Sequence, residues 1–232
     1  MKSHISTTGI VLARTDYQEA DRILTVLTPD YGKLKLMARG VRRQRSKLAG
    51  GIELFSVNNI TYLPGKGEIG TLISSRMLAN YGNIAKDIDR TMLGYELLKR
   101  TNRITEEAAD SDYFDTLSGS LAGLDDDTIS PVLSELWFSM QLLKITGLSP
   151  NLKTTQQGLT LQEGKTYLFE FDDMAFLERE GAPYSAEHIK ILRLALTVDS
   201  PQKLGQVKGI KDNIANDVLQ LTNTMLQRLV RI

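Results

Sequence analysis

The sequence predicts an α+β chain: a small β-domain over residues 1–80, then a helical domain over residues 81–232 that carries a short β-hairpin insertion at about 157–171. Three observations point there. β-Branched or alternating runs of strand length, separated by turn residues, fill the first eighty positions. Apolar residues recur at helical spacing from about Tyr81 onward, and a brief return to alternation interrupts the helices near Gly158.

The runs ISTTGIVLA, RILTVLT, KLKLMARG, IELFSVNNITYL and EIGTLISSRM read as five strands. Pro29-Asp30-Tyr31-Gly32 and Pro64-Gly65-Lys66-Gly67 are tight turns between them. No segment among them is helical enough to cross between parallel neighbours, so an antiparallel barrel or sandwich is expected. The connection Val41–Gly51 is long for a hairpin, rich in arginine and closed by Gly50-Gly51, which marks it as functional or mobile. Helical spacing then links Ile84, Ile88, Leu93, Leu97, Leu98 and Ile104, next Leu117, Leu121 and Leu124, next Val132, Leu133, Leu136, Met140 and Leu143. Ser130-Pro131 opens the third of these helices and Gly147 is placed to stop it. GLTLQEGKTYLFEF reads as a hairpin turning at Glu163-Gly164, and helices resume at Ser185–Leu196 and Lys211–Val230. In the last, Ile214, Val218, Leu221, Met225 and Leu229 form one apolar stripe, read as core.

Composition excludes several classes. A chain of 232 residues with 41% apolar and 24% charged side chains is long enough to bury a core and is not globally disordered. The absence of cysteine rules out disulfides, a thiol nucleophile and cysteine-ligated zinc, and it fits a reducing cytoplasm. The N-terminus lacks a signal-peptide core, and charges interrupt every apolar run short of a membrane span. A cytoplasmic protein without membrane attachment is expected.

Catalytic and cofactor motifs are not found. Gly158–Thr166 resembles a phosphate loop, but five residues separate its glycines and a strand pattern follows it. The two histidines, His4 and His188, fall in different domains, and His188 reads as a solvated imidazole opening a helix. Asp125-Asp126-Asp127 lacks the alternating spacing of a calcium loop and reads as a helix entry. Asp172/Asp173 and Glu178/Glu180 lie in a charged segment without the burial that would split their pKa values. No catalytic residue, metal or cofactor is assigned.

Charge is the remaining signal. The chain is neutral, yet residues 1–80 carry twelve Lys/Arg against six Asp/Glu, and residues 81–232 carry sixteen against twenty-two. The stretch KLKLMARGVRRQRSKLAGG holds seven basic residues and no acid: Lys33, Lys35, Arg39, Arg42, Arg43, Arg45 and Lys47. On a strand, Lys33, Lys35 and Arg39 share one face while Leu34 and Leu36 face the core, and the others fan along the loop. Such a row suits a phosphate backbone, with Arg14, Lys66 and Arg76 as further candidates on neighbouring strands or turns. The nearby aromatics are sparse (Tyr17, Tyr31, Phe55, Tyr62), so backbone-dominated rather than base-reading recognition is expected.

These segments together resemble the N-terminal signature of the RecO family of DNA repair and recombination mediators. Its Gly-Ile-Val-Leu opening, Tyr-x-Glu-x-Asp-Arg-Ile segment, Leu-Thr…Gly-Lys turn, Ala-Arg-Gly with clustered cations and following Phe fall on Gly9–Leu12, Tyr17–Ile23, Leu27–Lys33, Ala38–Lys47 and Phe55. Beyond Tyr81 the match is in outline, including Gly147–Leu152. The resemblance implies an OB-fold barrel followed by a helical domain. It implies binding of single- and double-stranded DNA, strand annealing, and work with a RecR partner, the single-strand-binding protein and, indirectly, the RecA recombinase. Many members hold zinc with four cysteines after the Gly-x-x-Pro-x-Leu segment. Here Lys153–Gly158 offers none, so the hairpin is expected to hold by packing alone. Two rival readings are an adaptor whose basic loop docks an acidic partner and an RNA-binding barrel.

Overall fold

The computed structural model describes residues 3–44, 46, 48–105 and 111–229. Packing divides the chain into two compact units, Met1–Asp125 and Asp126–Ile232.

In the first unit, β1 (Ile5–Tyr17), β2 (Asp21–Thr28), β3 (Gly32–Ala38), β4 (Ser56–Leu63) and β5 (Ile69–Asn80) close a barrel in the order β1-β2-β3-β5-β4. Every pair is antiparallel except the closing one, where β3 meets β5 in parallel over only Lys35–Met37 and Ile69–Thr71. This is an OB-fold barrel. Alternation sends Leu24, Val26, Leu36, Ala38, Ile60, Tyr62 and Leu72 inward. The fourth strand, expected from Ile52, begins only at Ser56 because Phe55 takes φ of 58°, which breaks the extended run.

The β3–β4 connection is anchored rather than free. Val41 and Ile52 join the barrel core and Leu48 and Leu54 pack against it, so the loop plugs one end of the barrel. Outside the barrel, the cross-strand pair Ile10 and Leu27 is fully buried as well, on the strands against which α1 (Ile88–Ile104) and α2 (Ser111–Asp125) pack. Asp87 caps α1 by accepting from the Arg90 amide at 2.9 Å. The Asp125 carboxylate accepts from the Asn83 and Ile84 amides.

The second unit holds α3 (Pro131–Ile145), α4 (Ala186–Thr197), α5 (Pro201–Gly205) and α6 (Asp212–Leu229). α3 ends as expected at Gly147, whose φ of +74° lets the Leu148 amide reach back to the Leu143 carbonyl at 2.8 Å. Ile214, Val218, Leu221 and Met225 of α6 are buried, which confirms the core stripe, and the Leu229 side chain lies outside the described residues.

The insertion is a four-stranded sheet, β6 (Asn151–Thr155), β7 (Thr166–Glu170), β8 (Ala175–Glu178) and β9 (Tyr184–Ser185), in the order β6-β8-β7-β9. The expected turn at Glu163-Gly164 is not the hairpin turn. β7 pairs antiparallel with β8 across Phe171–Met174, and Met174 supplies the positive φ of 47° that this tight reversal needs. The preceding segment meets β6 through a Thr154–Thr160 bridge and through hydrogen bonds between Thr155 and Leu159. Among the described residues no helix is long and apolar enough to cross a membrane.

Candidate nucleic-acid interface

β3 presents its cations outward, as alternation requires, but the fold gives them different partners. Lys33 is drawn to the end of α1, where its ammonium donates to the carbonyls of Asn102 at 2.9 Å and Thr105 at 2.5 Å. Lys35 forms an exposed ion pair with Glu68 at 3.3 Å. Arg39, in the turn that follows β3, is exposed and makes no ion pair among the described residues.

The basic loop leaves β3 at the tip of the β1–β2 hairpin. The Asp21 carboxylate accepts from the Gly40 amide at 2.7 Å, and the Ala20 carbonyl accepts from the Arg42 amide at 3.0 Å. This anchoring turns Val41 into the barrel and Arg42 and Arg43 to solvent. Arg42 lies 3.5 Å from Asp16, which also accepts from Arg22 at 2.7 Å. The Arg22 hydrogen bond, with Arg42 adding charge, holds the Asp16 carboxyl below the ordinary carboxylate range. Arg43 makes no ion pair among the described residues. Arg45 and Lys47 lie outside them.

Of the further candidates, Arg14 on β1 is paired with Glu53 at 3.0 Å. Lys66 in the β4–β5 turn and Arg76 on β5, opposite Asn59, are exposed without an ion pair among the described residues. The stretch is free of acids in sequence, but folding brings Asp16 to Arg42 and Glu68 to Lys35. Among the described residues Arg39, Arg43, Lys66 and Arg76 are exposed without an ion pair, whereas Arg14, Lys35 and Arg42 are matched to carboxylates. A polyanion gains most from the former and must displace a carboxylate to engage the latter.

The second unit holds one constellation the sequence did not reveal. His188 is not a solvated imidazole: it is buried, with Nδ1 accepting from the Ser185 amide at 3.0 Å and Nε2 3.4 Å from Asp217. Ser185, His188 and Asp217 have the composition of a hydrolytic triad. Nδ1, however, faces both the main-chain amide and the hydroxyl of Ser185 at 3.0 Å, and the two residues stand at the N-cap and N3 positions of α4. The arrangement is a capping box.

Where the resemblance implies a zinc site, Lys153, Thr154, Thr155, Gln156 and Gln157 offer no thiolate, and the described residues contain no cluster fit for a metal. Hydrogen bonds do that work: the Thr155 hydroxyl accepts from the Leu159 amide, and Gln156 donates to Asp173 at 2.5 Å. Beneath them Tyr167, Phe169, Phe176 and Tyr184 pack edge to face. Packing therefore acts together with side-chain hydrogen bonds, which corrects the expectation of packing alone.

Residues 1–81 match the family model described as recombination protein O N terminal, and residues 85–232 match recombination protein O C terminal. Among curated relatives, the DNA repair protein RecO of Bacillus cytotoxicus is 30% identical over 225 residues, covering 93% of this chain and 88% of that protein. That of Dehalococcoides mccartyi is 28% identical over 202 residues, covering 84% of this chain and 79% of that protein. The protein of the same name from Listeria welshimeri is 29% identical over 144 residues, covering 62% and 56%. The chain belongs to the RecO family of DNA repair proteins.

Proposed function

We propose that this RecO-family chain is a non-enzymatic mediator of DNA repair and homologous recombination in the cytoplasm. In this reading residues 1–80 bind single- and double-stranded DNA through the outer face of β3 and the first turn of the loop after it. Arg39, Arg42 and Arg43 neutralise backbone phosphates, with Lys35, Arg45, Lys47, Arg14, Lys66 and Arg76 beside them. Strands held on that surface lose condensed counterions and repel one another less, which favours annealing. Residues 81–232 meet the protein partners, a RecR-type protein and the single-strand-binding protein, and through them the chain assists loading of the RecA recombinase. The observation that carries this reading is the anchored loop: its apolar residues plug the barrel while Arg39, Arg42 and Arg43 are exposed, Arg39 and Arg43 without a carboxylate partner among the described residues.

The test is fluorescence-anisotropy titration of a mixed-sequence single strand at several salt concentrations, with wild type beside the Arg39→Ala/Arg43→Ala double variant. Loss of two phosphate contacts makes the slope of log K against log salt shallower by about 1.4 for a single strand. Equal binding by the variant, or no binding by wild type at low salt, sinks the proposal. It would leave the acidic-partner adaptor as the better reading.

A further inference from the structure

β5 begins only at Ile69, opposite Lys35, so the first residues of β3 have no β5 neighbour, and a cleft of about 270 Å³ opens there. Thr25, Tyr31, Lys33, Leu34, Lys35 and Glu68 line it. Tyr31 is 45% exposed although it sits in a tightly held turn. The Thr28 hydroxyl accepts from the Tyr31 amide at 3.1 Å and donates to the Gly32 carbonyl at 2.9 Å, which fixes the turn on both sides of the ring. Tyr62, 5% exposed, meets the Tyr31 ring edge-on at a centroid distance of 6.3 Å.

A large, planar, half-exposed ring held in place beside lysines is costly to leave in water and cheap to use, because little side-chain entropy remains to be lost on binding. We infer that Tyr31 is a stacking platform for an unpaired nucleobase, at the opposite end of β3 from Arg39, so that the barrel engages single strands by ring stacking as well as by phosphate contact. This rests on the DNA-binding reading above. It departs from the backbone-only recognition that sparse aromatics suggest, because one preorganised ring on the path suffices. Ile69, 40% exposed and in register with Lys35, extends the apolar surface beside the cleft. A base on Tyr31 brings its own phosphate toward Lys35, which then exchanges Glu68 for the phosphate. Asp30, the other nearby acid, accepts from the Thr7 hydroxyl at 3.0 Å on β1.

The test compares three labelled probes by anisotropy: a thymidine single strand, an abasic strand of the same length, and a duplex. Tyr31→Ala weakens the thymidine strand about tenfold and leaves the abasic strand and duplex within about twofold. Tyr31→Phe, which keeps the ring, binds all three as wild type does. Glu68→Gln, which frees Lys35, tightens both single strands. If Tyr31→Ala weakens all three probes alike, or none, the stacking role is overturned while the phosphate reading stands. If wild type binds none of the probes at low salt, both fall. Unchanged abasic binding also shows that the variant is folded.

Discussion

Lys33 and Thr105 meet at the end of α1: the lysine ammonium donates to the threonine carbonyl at 2.5 Å, and to the Asn102 carbonyl at 2.9 Å, across more than sixty residues of sequence. The last carbonyls of a helix have no partner within it and carry the negative end of its dipole, so a cation placed there serves the fold. Lys33 therefore joins the first helix of the unit to the barrel wall.

Lys33→Ala should accordingly cost stability, on the order of 1–2 kcal/mol for charge-assisted bonds to otherwise orphaned carbonyls. A lowered urea midpoint, together with faster amide exchange in the last turn of α1, is the expected result. The salt slope of DNA binding should stay close to wild type. A normal midpoint with a shallower slope would instead place Lys33 among the phosphate contacts.

Asp16 acts in the opposite sense, because it holds Arg22 and Arg42. Its pKa is lowered in the fold, chiefly by the Arg22 hydrogen bond, so the interaction is complete above the ordinary carboxylate range. It is lost only as pH falls through the depressed value. At neutral pH Asp16→Asn therefore releases cations that acidification would release in the native chain. The variant should bind single strands more tightly, with a slope in log salt steeper by about 0.7 for each phosphate newly neutralised. An unchanged slope would mean that Arg42 does not reach the strand.

The outward row on β3 was legible because alternation needs only local sequence, whereas five runs and two turns left barrel and sandwich open, and the family resemblance supplied the barrel. The carboxylates that meet the candidate cations were not legible. Glu53 lies 39 residues from Arg14 and Glu68 lies 33 from Lys35, and only barrel closure brings them together. His188 was misread for a related reason: its polar neighbours in sequence are the capping box itself, while Tyr184 and Asp217 enclose it from other elements. The insertion turn was misplaced because Glu163-Gly164 has turn composition and Gly164 does take φ of +77°. No strand precedes it to pair with β7, so it is a turn without a hairpin.

Gly50 and Gly51 close the basic loop, and the structure separates them. A Cβ on Gly51 would stand 2.6 Å from the Ser75 Cβ and 2.7 Å from the Ser75 carbonyl oxygen, whereas one on Gly50 meets nothing within 4 Å. The Ser75 hydroxyl also donates to the Gly51 carbonyl in a short hydrogen bond. Gly51→Ala should lift the loop from β5 and cost about 1–3 kcal/mol, read as a lower urea midpoint. It should also weaken DNA binding if Arg42 and Arg43 are presented by the plug. Gly50→Ala should leave both close to wild type. Equal effects from the two would show that the loop is not docked on Ser75.

The capping box at α4 makes a discriminating pair of variants possible. His188 is buried, and its Nδ1 is the acceptor for the Ser185 amide. His188→Ala leaves that N–H without a partner and opens a void beside Tyr184, for a loss of about 1–2 kcal/mol. Glutamine at the same position can return a side-chain oxygen to the Ser185 amide, as it does in other capping boxes, and cannot be protonated. His188→Gln should therefore recover most of the stability lost in His188→Ala, measured by urea unfolding and by amide exchange at Ser185. Recovery identifies the ring as a cap for α4. If glutamine is as damaging as alanine, the contact with Asp217 at 3.4 Å carries the energy instead, and Asp217→Asn should then reproduce the loss.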